Sequence, residues 1–122
     1  MTWFPRPRVV AVATLALAGV ALTAVGARSQ GQIREFSVTG RDNSFAPGRI
    51  EVQKDDLVKI TFTAADIAHS FTVDSYRIAK RAGAGQTVVF EFRADHAGTF
   101  PFYCNLSQDD KCKQMKGELV VR

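Results

Sequence analysis

The sequence predicts an all-β domain, an antiparallel β-sandwich that follows an N-terminal signal segment. Two observations predict the sandwich. Apolar and polar residues alternate with a period of two through most of the chain, and clusters of turn-forming residues interrupt the alternation at short intervals. After the first 32 residues the sequence shows no clear 3.6-residue apolar period of the kind that amphipathic helices have. About seven short strands therefore account for the folded part of the chain.

The predicted strands are the segments in which β-branched and aromatic residues occupy alternate positions. In chain order they are 33–39, 50–52, 58–62, 69–73, 88–92, 100–104 and 119–121. Gly, Pro, Asn and Asp mark the turns between them, at 40–43, 47–48, 55–56, 83–85 and 97–98. The stretch Tyr76–Arg81 fits a strand, a turn or one helical turn equally well.

The first part of the chain has the features of an export signal. Arg6 and Arg8 give a basic start, and an uncharged apolar run then extends from Val9 to Ala27 and ends in small residues. This arrangement is typical of a secretory signal peptide cut near Ala27, and an uncleaved anchor helix is the alternative. The predicted organisation is a signal peptide or anchor at 1–27, a linker at 28–32 and a single domain at 33–122. Both alternatives place the domain outside the cytoplasm, as a periplasmic or secreted protein or as one held at the membrane by the uncleaved segment.

Charge and motif content exclude several classes of function. The chain has 16 Lys and Arg against 12 Asp and Glu, and two of the arginines lie in the signal segment. Basic and acidic residues alternate without a basic run, so a nucleic-acid partner is not expected. A Ser/His/Asp set, a phosphate-binding loop and a pair of catalytic carboxylates are not recognisable in the sequence, so we do not expect an enzyme.

Two cysteines and two histidines are the residues best able to carry chemistry. Cys104 and Cys112 belong to an exported domain, where a disulfide is the default expectation for such a pair. His69 begins the strand 69–73 and shares its parity with the apolar positions of that strand, so it should point toward the core. A partly buried imidazole requires a partner, either a hydrogen bond or a metal ion. His96 lies in a turn and should be exposed to solvent.

The connection before the last strand, from Cys104 to Met115, carries the strongest signal for a metal. It brings the two thiolates of Cys104 and Cys112 and the thioether of Met115 into one short segment. Soft sulfur ligands favour copper, especially Cu(I). With the imidazole of His69 from an earlier strand, this segment would complete a nitrogen and sulfur donor set of the kind that copper electron carriers use.

Several short motifs resemble the cupredoxin family. They are Asn43–Pro47, Ile50–Val52, His69–Phe71, Gly98–Cys104 and Met115–Gly117, and the resemblance covers nearly all of residues 33–122. The similarity is greatest to the branch that contains the copper domain of cytochrome oxidase subunit II and nitrous oxide reductase, and to nitrosocyanin. The resemblance implies a Greek-key sandwich in which one histidine comes from an inner strand and the remaining copper ligands come from the loop before the last strand.

The ligand loop departs from the binuclear pattern of that branch at two positions. The pattern Cys-x3-Cys-x3-His-x2-Met aligns with Cys104, Gln108, Cys112 and Met115, so a glutamine replaces the second bridging thiolate and a cysteine replaces the histidine. The resemblance therefore implies one copper ion per chain, bound by His69, Cys104 and Cys112 with Met115 as the weaker axial ligand.

Two alternatives for Cys112 stay open at this point. An oxygen donor from the same loop could complete the site in its place, and the available ones are Gln108, Asp109 and Asp110. A disulfide between Cys104 and Cys112 would instead remove both thiolates from copper, and it would stabilise a small secreted domain by about 2–3 kcal/mol.

The predicted function is one-electron transfer through a thiolate-ligated copper ion, with a redox protein as the partner. A periplasmic protein that carries or stores Cu(I) and passes it to a copper acceptor protein is the first alternative, and a metal-free sandwich with a Cys104–Cys112 disulfide is the second. In the electron carrier, Cys104 would conduct the electron, His69 would supply the imidazole and Met115 would tune the reduction potential. Contact with a membrane is expected only if the N-terminal helix stays uncleaved.

Overall fold

The computed structural model describes residues 2–5, 13–14, 19, 31–107 and 110–122, and its architecture is two β-sheets. The strands are β1 (Ile33–Arg41), β2 (Ser44–Ala46), β3 (Arg49–Val52), β4 (Leu57–Ala64), β5 (His69–Val73), β6 (Ile78–Ala82), β7 (Thr87–Arg93), β8 (Gly98–Tyr103) and β9 (Lys116–Val121). Short 3-10 helices lie at Asp74–Tyr76 and Cys112–Gln114. The predicted signal peptide or anchor at 1–27, and the first part of the linker, fall largely outside the described residues. In the described part of the chain, no helix has both the length and the apolar character needed to cross a membrane.

The two sheets contain four and five strands, in the orders β2–β1–β4–β7 and β3–β9–β8–β5–β6. The prediction of an all-β sandwich is confirmed, and most neighbouring strands pair antiparallel as expected. The sheets are nevertheless mixed, because β1 pairs with β4 and β3 pairs with β9 in parallel. Parallel neighbours require a crossover connection, and between β1 and β4 the chain passes through β3 in the other sheet before it returns.

Two strands lie beyond the seven that the alternation predicted. One is β2, a three-residue strand that pairs with the end of β1. The other is β6, which settles the ambiguous stretch Tyr76–Arg81: the 3-10 helix ends at Tyr76, Arg77 takes a left-handed backbone with φ of 53°, and the chain then pairs with β5.

The core lies between the two sheets and is rich in phenylalanine. Along β4 the residues at every second position are buried, which is the pattern of a strand with one face on the core. Phe71 of β5 stacks on Phe102 of β8 with 4.7 Å between ring centroids, and Phe45 meets Phe102 edge-on at 5.0 Å. Gly117 of β9 lies so close to the Phe102 ring that a Cβ at this position has no room. Aromatic contacts of this kind join both sheets and fix their spacing.

Strand β5 is buried along its whole length, on both of its faces. Ser70 and Thr72 alternate with the apolar residues of this strand, yet the two are only 1% and 3% exposed. Their hydroxyl groups lie 3.3 Å apart, and Ser70 Oγ donates to Asn105 Oδ1 at 2.7 Å. These hydrogen bonds satisfy the polar atoms that the fold buries. His69, at the start of β5, is therefore held in a rigid and fully covered strand.

Candidate metal site

The four predicted ligands come from the start of one strand and from the connection between β8 and β9. His69 begins β5, Cys104 directly follows β8, Cys112 begins the second 3-10 helix and Met115 directly precedes β9. All four side chains are buried, with exposed fractions of 0% for His69 and Met115 and 1% for the two cysteines. Backbone hydrogen bonds hold the loop closed, because the N–H of Cys104 donates to the Met115 carbonyl at 3.3 Å and the N–H of Met115 donates to the Cys112 carbonyl at 3.0 Å.

The two cysteines form a disulfide in this structure, with 5.2 Å between their Cα atoms. The sequence left this pairing open as an alternative to copper ligation by both sulfurs. In the disulfide neither sulfur is a thiolate, so the set of His69, Cys104, Cys112 and Met115 remains a prediction about the reduced protein.

Backbone N–H groups point at both sulfur atoms. The N–H of Ser70 donates to Cys104 Sγ at 3.3 Å, and the N–H of Leu106 donates to Cys112 Sγ at 3.1 Å. The first of these hydrogen bonds brings Cys104 against the residue that follows His69, so β5 and the loop after β8 meet at the sulfur. A second hydrogen bond joins β5 to this loop, because Ser70 Oγ accepts the N–H of Asn105 at 2.7 Å. Donors directed at a sulfur favour its thiolate form once the disulfide is reduced.

His69 has one satisfied ring nitrogen and one open ring nitrogen. Its Nε2 lies 2.6 Å from Asp66 Oδ1, in the loop between β4 and β5. Its Nδ1 is buried and has no hydrogen-bond partner, and it is the only buried side-chain nitrogen or oxygen in this condition among the described residues. An orphaned polar atom of this kind needs an explanation, and an absent metal ion is one. The prediction that His69 points into the core is confirmed.

The carboxylate of Asp66 is held by three N–H donors. The backbone N–H of Asp42 reaches its Oδ2 at 2.9 Å, and the backbone N–H of Ile67 and Nε2 of His69 reach its Oδ1 at 2.8 and 2.6 Å. These donors, with Asp42 first in size and then Ile67 and His69, lower the pKa of Asp66 well below its ordinary value. Asp66 is therefore an ionised acceptor behind the imidazole.

Several other residues named from the sequence lie away from this arrangement or outside the described residues. His96 is 65% exposed and pairs with Asp95 at 3.4 Å, which confirms its prediction as a solvent-exposed turn residue. Gln108 and Asp109, considered as oxygen donors, are not among the described residues, and Asp110 is exposed. Across the residues that the structure does describe, no three or more His, Cys, Asp and Glu side chains cluster in a way that could hold a metal ion.

Sequence reasoning missed the residues that support the site. Asp66 stands three residues before His69 in an irregular loop, where no periodicity marks it. Gly40 of β1 packs against the imidazole so closely that a Cβ there would lie 3.1–3.3 Å from three atoms of the His69 side chain. The contacts of Ser70 and Asn105 are equally invisible in the sequence, because they join residues 35 positions apart.

Comparison with known proteins identifies the family to which this fold belongs. A family model described as a cupredoxin-like domain matches residues 12–121. A search of curated protein sequences gives no significant match.

Solved structures with the same fold include several copper proteins. Auracyanin A, a blue copper protein from Chloroflexus aurantiacus, superposes with a TM-score of 0.62 at 18% identity, over 74% of this chain and 99% of that one. The metal-binding domain of the Cu(I)-exporting ATPase CopA of Streptococcus pneumoniae gives 0.62 at 20% identity, over 74% and 86%. The periplasmic domain of cytochrome oxidase subunit II (CoxB) of Bradyrhizobium japonicum gives 0.60 at 17% identity, over 73% and 83%. The chain spans 65% of a matched chain in a heme-copper terminal oxidase dimer. At these identities the likeness shows the fold.

Proposed function

Because the chain belongs to the cupredoxin-like family, we propose that it is an exported copper protein that transfers single electrons through one copper ion per chain. His69, Cys104, Cys112 and Met115 would hold the ion. The observation that carries the proposal is the open Nδ1 of His69, buried beside the residue whose N–H contacts Cys104.

The state of the imidazole fits a metal ligand. Asp66 is ionised and can only accept, so the proton of a neutral His69 ring lies on Nε2 and the lone pair lies on Nδ1. Metal-ligating histidines usually donate their other N–H in this way, to a carboxylate or a carbonyl. A buried Nδ1 that carried a proton would instead leave a donor without an acceptor, at a cost of about 1–3 kcal/mol.

The sulfur donors become available only after reduction of the Cys104–Cys112 disulfide. A dithiol reductant supplies two electrons and two protons, the S–S bond breaks, and two thiols form. The N–H groups of Ser70 and Leu106 then stabilise the thiolates that a soft metal requires. Both sulfurs are buried, so a reductant and a copper ion can reach them only when they become exposed to solvent.

The fold supplies what an electron carrier needs around its ligands. Copper, when bound, supplies a one-electron couple. The chain supplies rigidity, because His69 is fixed in a buried central strand while Cys104 and Met115 are joined by the backbone hydrogen bond that closes the loop. Phe71 and Phe102 are fully buried in the same core and exclude water. A dry and rigid ligand set keeps the cost of reorganisation between Cu(II) and Cu(I) low.

A Cu(I) carrier or store is the second candidate. One imidazole, two thiolates and a thioether form a softer set than electron carriers with two histidines have, and such a set favours Cu(I). A fold shared with the metal-binding domain of a Cu(I)-exporting ATPase is consistent with this alternative. The partner would then be a copper acceptor protein, whereas the electron carrier requires a redox protein.

Placement outside the cytoplasm is part of the proposal. The predicted signal segment at 1–27 supports it, as does the fold shared with the periplasmic domain of CoxB. A disulfide within the domain also fits an oxidising compartment.

Copper titration of the reduced protein under anaerobic conditions, followed by oxidation and by visible and EPR spectra, tests the proposal. We expect one copper ion per chain, a reversible couple and a strongly coloured Cu(II)–thiolate form. A Cu(I) carrier would instead stay colourless and pass its metal to an acceptor. The exposed His96 offers a matched control, since His96→Ala should leave the stoichiometry and the colour unchanged.

The cysteine variants separate the ligand assignment from simple copper uptake. Cys104→Ser should abolish the visible absorption, because it removes the thiolate that gives the colour, and the unreduced disulfide protein should show none. Retained colour in the Cys104 variant, or a fully reduced protein that takes up no copper, would overturn the proposal.

A further inference from the structure

The loop between β4 and β5 contains a carboxylate whose position does not depend on His69. The backbone N–H groups of Asp42 and Ile67 both donate to the Asp66 carboxylate, and they come from two different connections, the β1–β2 turn and the loop itself. Asp42 has a left-handed backbone with φ of 50°, which directs its N–H within a tight turn. The carboxylate is therefore a fixed part of this end of the sandwich, against which the imidazole is placed.

Two contacts together determine the orientation of the His69 ring. The hydrogen bond from Nε2 to Asp66 Oδ1, at 2.6 Å, sets which ring edge faces the loop. Gly40 packs against the ring, where a Cβ would lie 3.1 Å from Cδ2 and 3.2 Å from Cγ. A ring flip would exchange Nδ1 with Cδ2 and would break the hydrogen bond to Asp66. The arrangement therefore leaves Nδ1 as the one ring nitrogen free to bind a metal.

The charge behind the ring matters as well as its orientation. Asp66 carries a full negative charge 2.6 Å from Nε2, and Asp66 and His69 are 33% and 0% exposed, so solvent screens the pair only from the side of Asp66. A carboxylate that accepts the Nε2 proton makes the other nitrogen a more basic ligand. Electrostatic stabilisation of this kind grows with the charge of the ion at Nδ1, so it favours a divalent ion over a monovalent one.

We propose that Asp66 is a positioning residue that holds His69 in the Nε2–H tautomer and makes the site favour Cu(II) over Cu(I). This inference rests on the proposed copper site. It adds a residue that none of the sequence motifs contains, and it assigns that residue an effect on the relative affinity for the two oxidation states. Neutralising Asp66 should therefore raise the reduction potential of the bound ion.

The variant Asp66→Asn tests the effect on affinity. We would reduce the full chain, desalt it anaerobically and titrate it with Co(II), a divalent probe that does not oxidise thiols, and separately with Cu(I) against a competing chelator. The Kd for Co(II) should rise by about 10–100-fold, as is typical when the carboxylate partner of a ligating histidine is lost. The Kd for Cu(I) should rise distinctly less. Equal losses for the two ions, or no loss for Co(II), would overturn the proposal.

The pair Asp95 and His96 provides a matched control. It is also an aspartate beside a histidine nitrogen, at 3.4 Å, but both side chains are more than half exposed. Asp95→Asn makes the same change of charge at the surface, and it should leave both affinities unchanged. If circular dichroism shows that Asp66→Asn does not fold, Asp66→Ser gives a smaller neutral side chain at the same position. It should also raise the Kd for Co(II) more than the Kd for Cu(I).

A measurement on the metal-free protein separates this inference from the proposed function. Long-range ¹⁵N–¹H spectra of the reduced protein, recorded at a pH where the ring is neutral, should show the Nε2–H tautomer of His69, and Asp66→Asn should shift the ring toward a mixture of tautomers. This readout does not require copper, so it remains informative if the protein takes up no metal. An unchanged tautomer in the variant would mean that Asp66 only stabilises the loop, and it would overturn the positioning role.

Discussion

Asp56 and His69 are both buried polar residues, and they lie at opposite ends of strand β4. Asp56, which precedes β4, accepts the backbone N–H groups of Gln32 and Gln53 at 2.8 Å each, and it lies 3.6 Å from the guanidinium of Arg34. His69, which follows the loop after β4, has a partner for Nε2 and none for Nδ1 among the described residues. At one end of the sandwich the buried carboxylate of Asp56 has hydrogen-bond partners for both oxygens. At the other end the buried Nδ1 of His69 has no hydrogen-bond partner.

The difference indicates two kinds of buried polar residue. A carboxylate that meets two backbone donors and a cation stabilises the fold, since it satisfies chain segments that would otherwise lose hydrogen bonds on burial. A nitrogen buried without a partner costs free energy in the metal-free protein, so its presence points to a role that the fold alone does not need. The two ends of the sandwich therefore differ: the Asp56 end stabilises the fold, and the His69 end is the one that we propose to bind copper.

The largest expected effect on copper binding follows from the removal of His69. His69→Leu should weaken Cu(I) binding to the reduced protein by more than about 100-fold, since the loss of a ligand exceeds the loss of a ligand's partner. The free energy of unfolding of the metal-free protein should fall by no more than about 1.5 kcal/mol. The variant loses the hydrogen bond from Nε2 to Asp66, but it no longer buries the unpartnered Nδ1, and the Asp66 carboxylate keeps two backbone donors. Chelator competition and urea unfolding measure the two effects. A large loss of stability without a loss of copper would reverse the assignment of the two ends.

The opposite change is expected at Asp56. Asp56→Ala should lower the free energy of unfolding by about 2 kcal/mol, because it leaves the N–H groups of Gln32 and Gln53 without acceptors. Copper affinity of the folded fraction should not change. Urea unfolding at constant m-value measures the loss, and the exposed Glu91→Ala serves as the control. The comparison fails if the Asp56 variant loses copper affinity as strongly as stability.

A change at Met115 tests the proposed copper site itself. Met115→Leu keeps a buried apolar side chain of similar volume, so the free energy of unfolding should fall by less than about 1.5 kcal/mol. Copper should still bind and remain coloured, but the reduction potential should rise, because a weak donor to the oxidised ion is gone. Voltammetry on the copper-loaded variant measures the shift. An unchanged potential would show that Met115 only fills the core.

The smallest effect concerns acid stability at the His69 end. The pKa of Asp66 lies below its ordinary value because three N–H groups donate to it, so its ionised form stabilises the native state. That contribution is complete above the pKa of the unfolded chain, at about pH 4, and is lost as the pH falls through the lower pKa of the folded state. Wild type should therefore exceed Asp66→Asn in unfolding free energy near pH 6, and the gap should narrow toward pH 2. If the difference in unfolding free energy between wild type and Asp66→Asn stays constant from pH 6 to pH 2, the ionised Asp66 carboxylate does not stabilise the native state in this way.

Much of the fold was accessible from the sequence. The alternation along β4 and the turn residues between strands predicted the sandwich, because a strand with one face on the core must alternate and a reversal of the chain needs particular residues. The pattern did not predict β2, which is only three residues long, or β6, where Lys80 and Arg81 carry charge on an edge strand. Nor did it predict the parallel pairs, since alternation says which face is buried and not which strand is the neighbour.

The candidate site was only partly predictable. His69, Cys104, Cys112 and Met115 were named from donor chemistry and from a resemblance, and the structure brings Cys104 against Cys112 and places Met115 beside both. The disulfide stayed an open alternative in the sequence, because spacing permits it without requiring it. Asp66 and Gly40 were missed, since their roles arise from contacts that no local pattern encodes.

The sequence by itself determined the class of fold, the apolar core and which side chains are chemically able to bind a soft metal ion, because these follow from the order and chemistry of side chains along the chain. Only the tertiary structure decided which ring nitrogen of His69 is tied to a carboxylate, which one is left open, and that the two cysteines pair with each other. The physical reason is that hydrogen bonds and sulfur pairing depend on distances between segments far apart in the chain, and those distances exist only after the two sheets have packed.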